Sequence, residues 1–153
     1  MAKLLPLPDW TARIILRTRT GILAVRQGND EWHLPGGKKN PGEVLPLSTA
    51  KRELTEETGI PHTHCTFRHR RTRPSKQGKR NKYDIHYFEA HCDDALVDSH
   101  RASHGIDGEE TRIITYAELR TTTGFNTAQL NMLRKLRCLR PPNMSSRHKR
   151  QRV

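Results

Sequence analysis

The fold is decided by Gly37–Ile60, which reads GKKNPGEVLPLSTAKRELTEETGI. If this segment is helical, Glu53, Glu56 and Glu57 are spaced i, i+3 and i+4, so their carboxylates project from one side. Carboxylates that lie this close repel one another unless a cation holds them. Magnesium ions prefer a few carboxylate oxygens, with the remaining positions left to water and phosphate oxygens. The spacing therefore predicts a divalent-metal site on the helix.

The same segment predicts where the helix begins, where it ends and which side it buries. Four residues recur in one stripe that should face the core, namely Leu47, Ala50, Leu54 and Thr58. Pro46 suits the first helical position and Gly59 suits a C-terminal stop. Before the helix, Leu34–Gly37 predicts a turn in which a main-chain carbonyl approaches the same metal.

These residues resemble the signature of the Nudix hydrolase family. That signature runs Gly, five residues, Glu, seven residues, Arg-Glu, apolar, any, Glu-Glu, any, Gly, apolar. Its defined places are filled by Gly37, Glu43, Arg52, Glu53, Leu54, Glu56, Glu57, Gly59 and Ile60. One departure exists, because eight residues, 44–51, separate Glu43 from Arg52. Pro46 keeps the usual offset from the arginine, so we assign the extra residue to the Val44–Leu45 loop.

The resemblance implies a role for each matching residue. It implies that Glu53, Glu56, Glu57 and the Gly36 carbonyl bind Mg²⁺ or Mn²⁺, and that Glu43 pairs with Arg52 to orient the helix. The general base stays open between Glu53 and Glu110, and Glu110 would also reach the metal. Glu109 is the substitute for Glu110, and two solvated loop acids are the plain alternative.

The substrate side of the site is predicted from four further residues. Gly37 and Lys38 follow the glycine turn, and Arg26 ends a strand where relatives place a substrate arginine. Asn126 stands where hydrolases of oxidised purine nucleotides place a base-reading asparagine, although asparagine is equally a preferred helix N-cap. For Trp32 we prefer a core position over stacking on a base.

The net charge of +12 is concentrated in two segments. Residues 68–82 contain eight Lys/Arg and residues 140–153 contain five, with no acid in either segment. Removing these 13 from the 28 basic residues leaves 15 against 16 acids, so the rest of the chain is nearly neutral. Basic clusters attract polyanions, so RNA is a candidate partner through both segments. Improved solubility or nuclear targeting would explain the same charge.

The coarse element pattern predicts an α+β fold. We expect a hairpin of Thr11–Leu16 and Ile22–Arg26, and strands at Cys65–His69 and Tyr83–His91 on either side of a basic loop. A further strand is expected at Arg112–Tyr116. A second helix begins at Asn126, with Gln129 completing a capping box and Leu130, Leu133 and Leu136 forming its buried face. The resemblance implies a Nudix-type α/β/α sandwich with a mixed central sheet, in a domain over residues 1–139. Residues 140–153 are expected to form a disordered tail.

The remaining composition predicts the compartment. No segment is long and apolar enough to cross a bilayer, so we expect no membrane partner. Cys65, Cys92 and Cys138 are isolated and odd in number, which predicts reduced thiols in the cytoplasm, or the nucleus of a eukaryote. The cluster of His62, His64 and Cys65 is interpreted as a polar loop and not as a metal site.

Together these observations favour a Mg²⁺-dependent hydrolase of a pyrophosphate bond. The expected substrate is a nucleoside diphosphate linked to another group, such as a nucleoside triphosphate, with oxidised purine nucleotides among the candidates. One alternative is removal of pyrophosphate or the cap from RNA 5′ ends. Another is a nucleotide- or RNA-binding protein that keeps the fold without turnover. The sequence leaves the oligomeric state open.

Overall fold

The computed structural model describes residues 9–77, 80–100, 109–121 and 124–142. Its strands are β1 (Asp9–Leu16), β2 (Gly21–Arg26), β3 (Gly36–Lys38), β4 (Thr66–Gln77), β5 (Arg80–His91) and β6 (Glu110–Thr115). Its helices are α1 (Pro46–Thr58), α2 (Asp94–His100), α3 (Tyr116–Thr121) and α4 (Thr127–Lys135), with a 3₁₀ turn at His62–His64. One sheet has the order β3-β1-β5-β4, and a second contains β2 and β6. Because β1 pairs parallel with β5 and antiparallel with β3, the larger sheet is mixed, as predicted.

Two hydrophobic cores lie on opposite faces of the larger sheet. The first core joins α1 to alternate residues of β1 and β5, including Ala12, Ile14, Leu54 and Phe88. The second core joins the other face to the two-stranded sheet, α3 and α4, and includes Ile15, Ile22, Tyr87, Ile114, Leu119 and Leu133. Helices therefore cover both sides of the strands, which confirms the α/β/α sandwich. The side chains of Tyr87, Phe88, Glu89 and Ala90 are all buried, as expected for a strand covered on both faces.

Helix α1 has the predicted boundaries. Pro46 is its first residue, and Gly59 follows its last with φ of 74°, a left-handed conformation that glycine adopts without a Cβ clash. The Gly59 N–H donates to the Thr55 carbonyl at 2.9 Å and closes the last turn. Ala50 and Leu54 are fully buried. The predicted stripe therefore faces the core.

The predicted hairpin of β1 and β2 is wrong. A single antiparallel bridge, between Arg17 and Ile22, joins the two segments. Beyond it the strands separate, since β1 pairs with β3 and β5 whereas β2 pairs with β6. Sequence proximity favoured a hairpin, but the residues of β2 are needed to close the second sheet over the core.

The basic segment 68–82 is not a plain loop. Its residues extend β4 and β5, which pair antiparallel from Thr66–His91 to Gln77–Arg80 with register shifts near Arg71 and Lys76. Arginine and threonine side chains on an edge strand can stay in solvent while the backbone pairs, so a polar composition did not exclude a strand. On the C-terminal side, the predicted last strand ends at Thr115, and Tyr116 begins α3.

The second helix forms with only half of its predicted capping box. The Gln129 N–H donates to Asn126 Oδ1 at 3.0 Å, so Asn126 is an N-cap. The Gln129 side chain does not return the bond, because its Oε1 accepts the Leu34 N–H at 2.7 Å. Leu130 and Leu133 are buried as predicted, and Leu136 is partly buried at the end of the helix.

The expectation of three reduced thiols is wrong for two of them. Cys65 and Cys92 form a disulfide whose Cα atoms are 4.6 Å apart, although 27 positions separate them in sequence. The register places Thr66 opposite His91, so the residues that flank these two strand ends become neighbours. Cys138 is free and buried, and the His62–His64 turn is polar as interpreted.

A buried acid ties β5 to two other parts of the chain. The Glu89 side chain is 4% exposed and receives the guanidinium groups of Arg17 and Arg70. His91 Nε2 lies 2.6 Å from the other Glu89 oxygen. Arg70 also donates to the Leu136 carbonyl at 2.9 Å, and Arg17 to the Arg140 carbonyl at 2.7 Å. The cluster therefore anchors the segment that follows α4.

One prediction falls largely outside the described residues. Residues 143–153 include most of the expected tail. The division into a domain and a tail stays a prediction. Among the helices that the structure describes, none has the length and apolar character needed to cross a membrane.

Candidate active site

Arg52 is the hub of the candidate site. Its Nε donates to Glu43 Oε2 at 3.1 Å, and its Nη2 donates to Glu43 Oε1 at 3.1 Å. Nη2 also donates to the Lys38 carbonyl at 3.0 Å, which ties α1 to β3. Burial raises the pKa of Glu43, but hydrogen bonds from Arg52, the Asn40 N–H and Thr49 outweigh it and lower the pKa overall. The pair that the motif implies is therefore formed despite the additional residue.

The three helix carboxylates lie around this arginine and the glycine turn. Arg52 Nη1 donates to Glu53 Oε1 at 2.8 Å and to Glu56 Oε2 at 2.9 Å. Glu57 is buried, with 8% of its surface exposed, and its Oε1 accepts the Gly36 N–H at 2.6 Å. Gly36 thus contacts Glu57 through its N–H, whereas the resemblance implied that the Gly36 carbonyl binds the metal.

The surroundings of Glu57 disfavour its ionised form. Burial and the negative charge of Glu53 together raise the pKa of Glu57 to about 8. The Gly36 N–H and the positive charge of Arg13 lower the pKa but do not compensate. A cation between Glu53 and Glu57 would remove the conflict by stabilising both charged carboxylates.

The donor set fits a hard divalent cation. Across the described parts of the chain, no three His, Cys, Asp or Glu side chains already form a group that could hold a metal ion. In this arrangement the Arg52 guanidinium takes the oxygens of Glu53 and Glu56. Those oxygens and the carboxylate of buried Glu57 are nevertheless the ligand type that Mg²⁺ and Mn²⁺ prefer. Glu53, Glu56 and Glu57 are therefore the residues that would hold the metal.

Two glycines let the turn approach the helix and the neighbouring strand. A Cβ on Gly36 would lie 2.0 Å from the Ala12 carbonyl oxygen, and Gly36 has φ of +152°. A Cβ on Gly37 would lie 2.5 Å from Glu53 Oε1. The Gly36 position therefore excludes a side chain because of the backbone, whereas a side chain at Gly37 would displace the Glu53 carboxylate.

A cleft of about 230 Å³ begins at Gly37 and extends over the face of the larger sheet to the start of α4. Its lining consists of Thr11, Arg13, Gly37, Lys38, Tyr83, Ile85, Tyr87, Asn126, Ala128 and Gln129. This volume is below the roughly 300–1,000 Å³ of a site that encloses a whole drug-sized ligand. It suits part of a nucleotide, with the rest of the molecule outside.

The structure brings together three of the four predicted substrate residues. Gly37, Lys38 and Asn126 all line the cleft. Asn126 is engaged on both sides, because its Oδ1 caps α4 and its Nδ2 donates to Glu31 at 2.9 Å. The N-cap role is therefore present in the structure, and base reading stays a prediction.

The fourth predicted substrate residue, Arg26, pairs with Glu110 at 3.2 Å. These residues lie opposite each other at the ends of β2 and β6. The Arg26 guanidinium also lies 4.5 Å from the centre of the Trp32 ring. Trp32 is partly buried and packs against the second core, as preferred, while one face meets this arginine. Glu109, the substitute for Glu110, is buried.

Sequence reasoning missed Arg13, Tyr83 and Tyr87, which also line the cleft. Arg13 is opposite Tyr87 in the parallel pairing of β1 and β5, so both project to the same face. Arg13 Nη1 donates to the Leu34 carbonyl at 3.2 Å. The alternation of side chains along β1 and β5 could have predicted that Arg13 and Tyr87 share a face, but only if the pairing of β1 with β5 had been known.

The chain was compared with known proteins. The family model described as the NUDIX domain matches residues 8–136. Comparison with curated protein sequences gives no match.

Three solved structures illustrate the shared fold. The NUDIX domain of Shewanella oneidensis NrtR, complexed with ADP ribose, has a TM-score of 0.67 at 16% identity, covering 87% of this chain and 88% of its own. A MutT/Nudix family protein from Listeria innocua has a TM-score of 0.64 at 20% identity, with coverages of 85% and 92%. MutT from Methanosarcina mazei has a TM-score of 0.61 at 18% identity, with coverages of 88% and 97%. Identities this low speak for the fold alone, but the family model spans most of the chain, and the chain therefore belongs to the Nudix hydrolase family of pyrophosphohydrolases.

Proposed function

We propose that this Nudix hydrolase cleaves a nucleoside triphosphate, or a related nucleoside diphosphate derivative, with Mg²⁺. The observation behind the proposal is the junction at Gly37, where the carboxylates of Glu53 and Glu57 meet a cleft that contains Arg13 and Lys38. Acids for a metal and cations for phosphate oxygens are the two requirements of a polyphosphate site.

Each part of this junction has a chemical task. A divalent ion, when bound, would neutralise charge on the phosphoryl oxygens and lower the pKa of a water molecule. Lys38 and Arg13 hold the remaining phosphate charge, and the Arg52–Glu43 pair holds α1 in place. We assign the general base to Glu53, because Glu53 lies against Gly37 at the start of the cleft, whereas Glu110 pairs with Arg26 at the ends of β2 and β6.

The nucleoside is proposed to enter the cleft beyond Lys38. Tyr83 and Tyr87 line the cleft and offer aromatic surface, and the side-chain amide of Asn126 offers hydrogen bonds to a base edge. The Shewanella NrtR domain was crystallised with ADP ribose, which is a nucleoside diphosphate linked to another group. That complex supports the same substrate class for this chain, with oxidised purine nucleotides as members of the test panel.

The test is hydrolysis of a nucleotide panel with Mg²⁺, monitored by phosphate, pyrophosphate and mononucleotide release. Glu57→Gln should lose at least about a hundredfold in rate, since metal catalysis supplies several kcal/mol of transition-state stabilisation. Asp30→Asn is the matched control, because it makes the same chemical change on an exposed loop. Equal turnover by wild type and Glu57→Gln, or no turnover of any panel member, would contradict the proposal.

A second candidate substrate is the 5′ end of RNA. Arg68, Arg71 and Arg73 are exposed on β4, the edge strand of the larger sheet. Burial raises the pKa of Tyr87, and the charges of Arg13 and Arg73 oppose this effect, so Arg73 lies close to the cleft. A polyanion that leaves the cleft would therefore meet these arginines. Replacing all three with glutamine should cripple hydrolysis of a 5′-triphosphorylated RNA and spare mononucleotides; equal losses on both would reject RNA.

The third candidate is binding without turnover, which would be expected if the longer loop broke the pairing of Glu43 with Arg52 and misplaced the metal ligands. Both hydrogen bonds of that pair are 3.1 Å long. A protein that only binds polyanions also gains nothing from the buried acid Glu57 beside its ligand. Calorimetric Mg²⁺ binding that is insensitive to loss of Glu56 and Glu57 would revive this candidate.

A further inference from the structure

The loop before α1 is one residue longer than the family motif, yet Glu43 still reaches Arg52. The additional loop residue is accommodated at Val44 and Leu45, which are 79% and 60% exposed. Leu45 is the N-cap of α1 and makes no side-chain capping bond. Within the loop, Glu43 Oε1 accepts the Asn40 N–H at 2.6 Å, and one contact from the helix holds Glu43 in addition to Arg52.

That contact is made by Thr49, a fully buried residue in the second turn of α1. Its hydroxyl donates to Glu43 Oε1 at 3.0 Å and accepts the indole N–H of Trp10 at 2.9 Å. A hydroxyl has one proton, so the two bonds define its orientation, from indole through hydroxyl to carboxylate.

Trp10 is a rigid anchor for this chain of hydrogen bonds. It lies on β1 with 7% of its surface exposed, and Lys39 Nζ is 5.2 Å from the centre of its ring. β1 is paired on both sides, with β3 and β5. The Glu43 carboxylate is therefore connected through Thr49 to a central strand of the sheet.

We propose that Thr49, held by Trp10, is a positioning residue that keeps Glu43 on Arg52 in a loop that is one residue too long. Glu43 in turn orients the guanidinium whose Nη1 contacts Glu53 and Glu56. The Thr49 hydroxyl thus affects the proposed metal ligands indirectly, through Glu43 and then Arg52. The functional consequence rests on the proposed function; the positioning of Glu43 does not.

Thr49→Val keeps the shape of the side chain and removes both hydrogen bonds. Outer-shell partners of metal ligands typically matter by about 10–100-fold in metal affinity or activity. We expect the half-saturating Mg²⁺ concentration for hydrolysis to rise about tenfold, with a smaller change in substrate KM. Thr49→Ser should restore both values, because it restores the hydroxyl.

A direct readout needs neither metal nor substrate. The Arg52 Nε–H donates to Glu43, so its ¹⁵N–¹H NMR signal reports this pair. In Thr49→Val the signal should move toward its position in Glu43→Gln, and in Thr49→Ser it should return. Thr58→Val is the matched control, since Thr58 is equally buried on α1 but its hydroxyl donates to the Leu54 carbonyl.

The added loop residue supplies the sharpest comparison. If Thr49 compensates for the longer loop, Thr49→Val should no longer change the Arg52 Nε–H signal in a chain from which Val44 has been deleted. A wild-type Arg52 signal in Thr49→Val, or an equal shift in Thr58→Val, would overturn the proposal even if the enzyme proves active. If wild type hydrolyses no nucleotide, the proposed function fails while the NMR series still decides the role of Thr49. If the shortened chain does not fold, the serine and valine variants decide it.

Discussion

Replacing Glu89 with glutamine should destabilise the fold without touching the candidate active site. The Glu89 carboxylate is 4% exposed, and it receives Arg17 and Arg70, which are 11% and 18% exposed. An amide cannot balance two guanidinium groups that have little access to water. Removing one partner of a buried ion pair costs about 3–5 kcal/mol, which lowers Tm by roughly 6–20 °C for a chain of this size.

The titration of the same group gives an independent magnitude. Burial raises the pKa of Glu89, but His91, Arg17 and Arg70 outweigh it and lower the pKa to about 2 from 4.5. That difference corresponds to about 3 kcal/mol of stability. Because the folded pKa is the lower one, this stability is complete above about pH 4.5 and is lost as the pH falls toward 2.

The assay is urea unfolding between pH 2 and 7 for wild type, Glu89→Gln and a control, Glu118→Gln. Glu118 also pairs with an arginine, but 40% of its side chain is exposed, so its loss should matter little. Between pH 4.5 and 2, wild type should lose more stability than Glu89→Gln, with the difference near 3 kcal/mol. Parallel pH curves for these two proteins, or an unchanged Tm in Glu89→Gln, would refute the reasoning.

Three further predictions follow from the described contacts. Gly36→Ala should prevent stable folding, seen as loss of the cooperative melting transition, because its Cβ would lie 2.0 Å from a backbone oxygen; a normal melt would contradict this. Reducing the Cys65–Cys92 disulfide should cost about 3.5 kcal/mol by the loop-entropy relation for a separation of 27, so dithiothreitol should lower the Tm of wild type but not of Cys65→Ser. Asn126→Ser keeps an N-cap acceptor and removes the amide, so unchanged stability with altered preference among purine nucleotides would indicate base reading, and an unchanged preference would leave only the cap.

The parts of the fold that depend on local sequence were predictable. Helix α1 was predicted with its ends because Pro46 and Gly59 have backbone preferences that match those ends. The partners of β1 were not predicted. Strand pairing depends on contacts between distant segments, and the sequence near Leu16 looks the same whether β1 turns back on β2 or pairs with β5. The disulfide was missed for the same reason, since it follows from the pairing of β4 with β5.

In the candidate site, too, the residues within one segment were predicted, and those brought together from distant segments were not. The acids of α1 were predictable from their spacing within one segment, and the Glu43–Arg52 pair followed from the family resemblance. Arg13 was not predicted, because its position beside the cleft depends on the face that β1 presents to α4. Thr49 was not predicted, because its role depends on a hydrogen bond to Trp10, which is 39 positions away in sequence.

The proposed function requires Glu53, Glu56 and Glu57 to bind a divalent cation together. Crystals soaked in Mn²⁺ and measured near the manganese absorption edge would show whether they do. We expect anomalous density bounded by these three carboxylates, with Arg52 Nη1 withdrawn from Glu53 and Glu56 while Nε stays on Glu43. A fully soaked crystal without anomalous density there, in which Arg52 still holds both acids, would rule out a metal site on α1.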